Sequence, residues 1–143
     1  MFVLDTNVVS ELRRAKAGKA DKNVTSWAAS VTAGSPFLSA ITMLDLETRV
    51  LLAERRDAAQ GATLRTWLEH HVLSALAGPV LAVDTAGAQR CARIHVPDRC
   101  ADRDALVAAT ALVHGMTAAT RNMADFEPTG VGILNPWSRD RGR

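Results

Sequence analysis

MFVLDTNVVSELRR, residues 1–14, sets a strand, a turn and a helix in immediate succession. Met1 to Leu4 is an apolar run without alternation, the pattern of a strand covered on both faces, and it stops at Asp5. Behind Asp5, Thr6 and Asn7, residue types that serve well at a helix N-terminus, Val8, Val9 and Leu12 recur at helical spacing.

The same strand-then-helix order recurs downstream. AKAGKADKN, residues 15–23, reads as a polar loop, and Val24, Trp27, Ala28 and Val31 give a second helix that Gly34-Ser35-Pro36 interrupts. Phe37 to Ile41 is the next apolar run, and Thr42 starts a long helix with Leu44, Leu46, Val50, Leu51 and Ala53 on or near its buried side. A further amphipathic stretch with Leu64, Trp67, Leu68 and Val72 ends near Gly78-Pro79. Val80 to Val83 is expected as a third strand, followed by a helix from Thr85 to Pro97 and another from about Arg103 to Gly115. Met116 to Thr120 gives the fourth strand and Gly130 to Leu134 a short fifth. Such alternation implies an α/β chain, helices on both faces of a central, mainly parallel sheet of four to five strands.

With 143 residues, 48% hydrophobic and 22% charged, the chain is expected to form one packed domain, residues 1–143. No apolar run approaches the roughly 18 to 20 residues that cross a bilayer, and Asp5 interrupts the N-terminal run, so the expected location is the cytoplasm. Cys91 and Cys100 stand outside any CxxC or Cys/His array and are expected as reduced thiols; His70 and His71 adjoin, where zinc prefers i,i+4 spacing. The net charge of +2 makes no global case for a polyanion partner. Basic residues do cluster, at Arg13, Arg14, Lys16 and Lys19, at Arg55 and Arg56, and in the tail from about 138 to 143 with Arg139, Arg141 and Arg143. Those clusters suit phosphate contacts and equally a solubilising surface.

Ligands of open parallel sheets bind beyond the carboxyl ends of the strands. Asp5 closes the first strand, Asp45 lies in the first turn of the long helix, Asp104 lies in the first turn of the helix before strand four, and Asn122 and Asp125 follow that strand. All fall on one rim. Gathered carboxylates repel unless a cation sits among them, which predicts a divalent ion, and oxygen-only donors favour magnesium or manganese over zinc. Each acid also has a plainer reading: Asp5 as a helix cap, Asp45 in a capping box after Thr42, Asp104 at a helix dipole, Asp125 in a turn.

Leu4-Asp5-Thr6-Asn7-Val8, Ser39-Ala40-Ile41-Thr42 leading to an acid and Leu46, Asp104 with Leu106-Val107-Ala108-Ala109-Thr110-Ala111, and Ala119-Thr120-Arg121-Asn122 with Asp125-Phe126 together resemble the PIN-domain ribonuclease toxins of the VapC and FitB type. The likeness spans nearly the whole chain, including Asn135-Pro136-Trp137. It implies a three-layer α/β/α PIN-like fold and a magnesium-dependent endoribonuclease, manganese being a possible substitute. By position, Asp5 and Asp104 match the family's two most dependable metal ligands. Asp45 stands where relatives usually carry Glu, Asn122 where some carry Asp, and Arg49 where Gly is common. Glu47, two residues beyond Asp45, is expected to point elsewhere.

On this resemblance, Asp5, Asp45, Asp104 and Asp125 form the catalytic and metal-binding set. Thr6, Asn7, Thr120 and Asn122 would support it through hydrogen bonds, and Arg13, Arg14 or Arg121 would position RNA phosphates. The substrate class implied is structured RNA, transfer or ribosomal, and the partners are a VapB-like antitoxin and a second copy of the chain, in a homodimer and a toxin–antitoxin hetero-oligomer without a membrane. The Val50-Leu51-Leu52 stretch fits an exposed patch that needs a partner. An alternative is a catalytically weakened PIN domain acting as an RNA-binding or scaffold module, which the changes at Asp45 and Asn122 would fit. A receiver domain would want an acidic pair after strand one, and a nucleotide-binding enzyme a Gly-rich phosphate loop; neither is present.

Overall fold

The computed structural model describes residues 1–31, 35–75 and 80–138. Its centre is a parallel sheet in the order β2-β1-β3-β4, with β1 at Phe2–Leu4, β2 at Pro36–Phe37, β3 at Thr117–Ala119 and β4 at Ile133–Leu134. The alternation of a strand divides the core into two. Leu4 and Ala119 pack on one face with Val8, Val9, Trp27, Leu46, Val50 and Leu68, while Val3 and Ala118 pack on the other with Val107, Ala108, Ala111 and Phe126. Helices therefore cover both faces, and the expected three-layer α/β/α arrangement is what forms.

Local chemistry sets the helix boundaries. Asp5 caps α1 (Thr6–Arg13), a 3-10 turn over Arg14–Ala17 closes on Gly18 at φ +68°, and Asp21 caps α2 (Lys22–Ser30) by accepting from the Asn23 and Val24 N–H groups. The expected loop over residues 15–23 is thus partly helical, because the Asp21 carboxylate satisfies the donors that open α2.

The long helix α3 spans Ala40–Arg56 and does not start at Thr42. Its cap is Ser39, whose Oγ accepts from the Thr42 N–H, while the Thr42 hydroxyl donates to the Leu4 carbonyl. Thr42, Leu46, Val50 and Ala53, three or four residues apart, form the buried side. Leu44 and Leu51, expected near that side, turn away from it and are 52% and 55% exposed, as is Leu52 at 55%.

After α3 come α4 (Ala58–Thr66), a π-helical segment at Trp67–Val72 and α5 (Leu73–Ala75). At Gly61 a Cβ would lie 2.4 Å from the Glu54 Cα, so only glycine permits this approach of α3 and α4. The strand expected over residues 80–83 is reduced to one parallel bridge, in which the Leu81 N–H donates to the Leu38 carbonyl and the Leu81 carbonyl accepts from the Ala40 N–H. It goes no further because its neighbour turns into α3 immediately after Ser39. Helices α6 (Thr85–Ile94), α7 (Asp102–Val113) and α8 (Met123–Phe126) complete the other face.

Among the described residues no helix is long and apolar enough to cross a membrane. Cys91 and Cys100 are free thiols, and burial pushes the Cys91 thiol up. His70 and His71 are both exposed. The expected breaker Gly34, the end of the stretch at Gly78-Pro79 and the tail arginines Arg139, Arg141 and Arg143 lie outside the described residues, as does the side chain of Lys16.

Candidate active site

Asp5 sits where β1 gives way to α1 and is buried. Its Oδ1 accepts from the Thr6 N–H at 2.9 Å; its Oδ2 accepts from the Thr120 hydroxyl at 2.8 Å and from the Asn7 amide at 3.4 Å. Oδ1 therefore serves the cap of α1, while Oδ2 joins the hydrogen bonds that tie α1 to the segment after β3. Thr120, just past β3, is fully buried and also accepts from the Asn7 amide at 3.4 Å and the Asn122 N–H at 3.0 Å. Asn7 in turn accepts from the Arg121 N–H at 3.3 Å. Parallel pairing of β1 with β3 brings these distant segments together, since Leu4 is in register with Ala119.

Asp45 lies in the second turn of α3, not the first, and has no part in the cap that Ser39 provides. Its Oδ2 accepts from the Thr6 hydroxyl at 3.1 Å, and its Oδ1 is ion-paired with Arg103. Asp104 lies half-buried in the first turn of α7, and Asp125 lies exposed in α8. Neither of these two carboxylates accepts a hydrogen bond among the described residues.

The four acids share one electrostatic neighbourhood. Burial raises the Asp104 carboxyl above its ordinary value, and the charges of Asp5, Asp125 and Asp45 raise it further. Asp5 is also raised, chiefly by burial; the Thr120 and Thr6 bonds oppose this, the Asp45 charge adds to it, and the Arg49 charge lowers it. Both carboxyls are thus raised, and among the described residues no cation is ion-paired with either.

Among the described residues no three Asp, Glu, His or Cys side chains stand close enough to enclose one ion. Magnesium keeps several waters and is held through as few as one or two carboxylates plus substrate phosphates. Asp5 and Asp104, which carry the raised carboxyls, are the two residues that could hold such an ion, through oxygen donors alone.

The other expected residues are distributed unevenly. Asn122 contributes its backbone N–H to Thr120, while its exposed side chain makes no hydrogen bond among the described residues. Arg121 joins the acidic rim through its backbone, and its guanidinium stacks 5.1 Å from the Trp137 ring. Arg13 lies 5.8 Å over Trp67, and Arg14 is paired with Glu11 at 3.4 Å, so both point to local partners instead of the acids. Glu47 accepts from Arg65 at 2.5 Å, which removes it from the site. Reading the sequence missed Arg103: the Asp102-Arg103-Asp104 triplet contained it, but nothing linear shows that the start of α7 faces α3.

Comparisons with known proteins bear on the family and the fold. The PIN domain family model matches residues 2–127. VapC ribonuclease Y4jK of Sinorhizobium fredii is 37% identical over 142 residues, which cover 96% of this chain and 98% of that protein. Toxin FitB of Neisseria gonorrhoeae is 33% identical over 142 residues, covering 96% and 99%. The crystal structure of FitAcB from Neisseria gonorrhoeae superposes with a TM-score of 0.86 at 33% identity, over 96% of this chain and 99% of that one.

Proposed function

The chain belongs to the PIN-domain family, and on that premise we propose that it is a magnesium-dependent endoribonuclease serving as the toxin of a type II toxin–antitoxin pair. The observation that carries the chemistry is that Asp5 and Asp104, ninety-nine positions apart in sequence, stand within electrostatic reach of one another beyond the end of β1, with both carboxyls raised. Asp5 and Asp104 would hold magnesium, or manganese in its place, with Asp45 and Asp125 completing or orienting its surroundings. Bound there, it supplies a Lewis acid that offsets phosphate charge and favours water as a nucleophile at neutral pH.

The remaining work falls to the chain's own groups. Thr120 and the Thr6 N–H hold the Asp5 carboxylate from both sides and prevent it from rotating. Asn7 ties α1 to the segment after β3, so that both sides of the rim move as one piece. Arg121, whose guanidinium rests on the Trp137 ring, would leave that ring to meet a phosphate of structured RNA, transfer or ribosomal. The relatives' names support a cognate antitoxin as partner, and the exposed Leu44, Leu51 and Leu52 of α3 support a second copy of the chain. Its site of action is the cytoplasm, where RNA is its substrate.

The test is cleavage of transfer and ribosomal RNA by the purified chain with and without magnesium. Cleavage that EDTA stops and that Asp5→Asn and Asp104→Ala each abolish is the expected result; undiminished cleavage by either variant refutes the assignment. The Arg103–Asp45 pair favours one second reading, a module that binds RNA with little cleavage. It predicts RNA binding by the wild-type chain with no magnesium-dependent product.

A further inference from the structure

Among the described residues Arg103 makes the only direct side-chain contact between a protein cation and an acid of the pocket. Consecutive residues of a helix point about 100° apart, so in the first turn of α7 Asp104 faces the other acids while Arg103 reaches across to α3. Both oxygens of Asp45 are consequently engaged, Oδ2 by the Thr6 hydroxyl and Oδ1 by Arg103. Asp102, the next acid along, is taken by Arg99 at 3.0 Å and lies 3.5 Å from His95, and so does not compete for Arg103.

The two ends of the pair differ in freedom. The Asp45 side chain is 17% exposed and anchored, whereas that of Arg103 is 65% exposed and uses one guanidinium nitrogen, leaving its other donors open to solvent. An ion pair this open is weak. A phosphate offers the same planar fork two acceptor oxygens and bidentate bonds, which favours transfer of the guanidinium from carboxylate to phosphate. Arg103 spans the gap between α7 and α3 at Asp45.

We propose that Arg103 is a phosphate-positioning residue that Asp45 holds while no RNA is bound, and that passes to an RNA phosphate on binding, which leaves Asp45 free for the pocket's ion. The proposal rests on the ribonuclease reading and adds a coupling to it. Substrate binding and completion of the acidic site become one event, because the cation that meets the substrate is the one that otherwise occupies Asp45. No bond is made or broken in the exchange; the guanidinium keeps its charge and changes its anionic partner.

Arg103→Gln and Arg103→Lys test it on the full chain, since the exposed side chain can be replaced without opening the core. Binding of a short mixed-sequence single-stranded RNA is followed by fluorescence anisotropy in EDTA across a salt series, and manganese binding to the RNA-free chain by calorimetry. Arg103→Gln is expected to lower the slope of log affinity against log salt by about 0.7, the contribution of one phosphate contact, and Arg103→Lys to restore it. Arg103→Gln is also expected to bind manganese roughly two- to fivefold more tightly, since Asp45 has lost its competitor. An unchanged salt slope, or manganese affinity that does not rise, overturns the role of Arg103. RNA cleavage by the wild-type chain is measured in parallel: cleavage alongside either negative result removes Arg103 alone, whereas a wild-type chain that neither binds nor cleaves RNA removes the ribonuclease reading and this proposal with it.

Discussion

Replacing Thr120 by valine keeps the shape of a fully buried side chain and deletes the oxygen on which the site's hydrogen bonds converge. That oxygen donates to Asp5 at 2.8 Å and accepts from the Asn122 N–H at 3.0 Å and the Asn7 amide at 3.4 Å. The bond to the carboxylate is charge-assisted and worth about 1.5–3 kcal/mol, and the Asn122 N–H left without its acceptor adds about 1 kcal/mol. The Asn7 contact is long and adds little. Thr120→Val is therefore expected to destabilise the metal-free chain by roughly 2–4 kcal/mol at neutral pH, a fall of about 6–15 °C in the melting midpoint for a domain of this size. Thr120→Ser, which keeps the hydroxyl, should lose less than half as much. Deletion of the hydroxyl also removes a group that holds the Asp5 carboxyl down, so that carboxyl should rise further. Urea denaturation in EDTA measures the first effect, and titration of the Asp5 carboxyl by NMR the second. A Thr120→Val variant within about 0.5 kcal/mol of wild type at neutral pH would refute the reasoning, because the bond would then contribute nothing that water cannot replace.

Other expectations follow from the same geometry. The Asp104 carboxyl is raised in the folded chain, so the folded state holds its proton more firmly than the unfolded state does; stability from this group is present below the unfolded value, near 3.8, and is lost as pH rises through the higher folded value. Asp104→Asn should therefore be more stable than wild type at neutral pH without divalent ions, and denaturation across a pH series in EDTA should show its profile flattened; a less stable variant contradicts the assignment. Magnesium added to wild type reverses the order, stabilising by about 2.7 kcal/mol at a hundredfold excess over its dissociation constant, and thermal shift assays should find no such gain in Asp104→Asn. Gly61→Ala forces a Cβ to within 2.4 Å of the Glu54 Cα and should cost about 3 kcal/mol or more in urea denaturation, whereas an unaffected midpoint means α3 and α4 separate freely. Leu51→Lys charges the exposed apolar face of α3 and should shift the chain toward monomer in sedimentation velocity while leaving its melting temperature within about 2 °C.

How much of this was legible beforehand depended on the range of the interactions involved. The strands β1 and β3 and the buried stripe of α7 follow from apolar patterning within single segments, and Asp5 is marked by the abrupt end of such a run. The residues misplaced are those decided by a neighbour. Thr42 looked like a cap because its own segment offers no sign that Ser39 would take the role and that Leu4 would claim the Thr42 hydroxyl. Val80 to Val83 has the composition of a strand, yet the chain it would pair with turns helical after Ser39, so one bridge is all that forms. Leu44 and Leu51 count as apolar in any pattern, but their exposure is set by which side of α3 Thr42, Leu46 and Val50 turn to the sheet. Within the site, residue types and order offered the four acids as candidates, whereas the partner of Asp45 did not emerge, since an arginine at the start of one helix reveals nothing about the second turn of another.

Calorimetric titration of manganese into the wild-type chain, Asp5→Asn and Asp104→Asn tests the central claim most directly, because it reads the shared pocket without requiring a substrate. Saturable binding by wild type that either substitution alone reduces at least about tenfold is the predicted result. Equal affinity in all three chains would contradict it, since two carboxylates that contribute nothing to ion binding cannot form the site described.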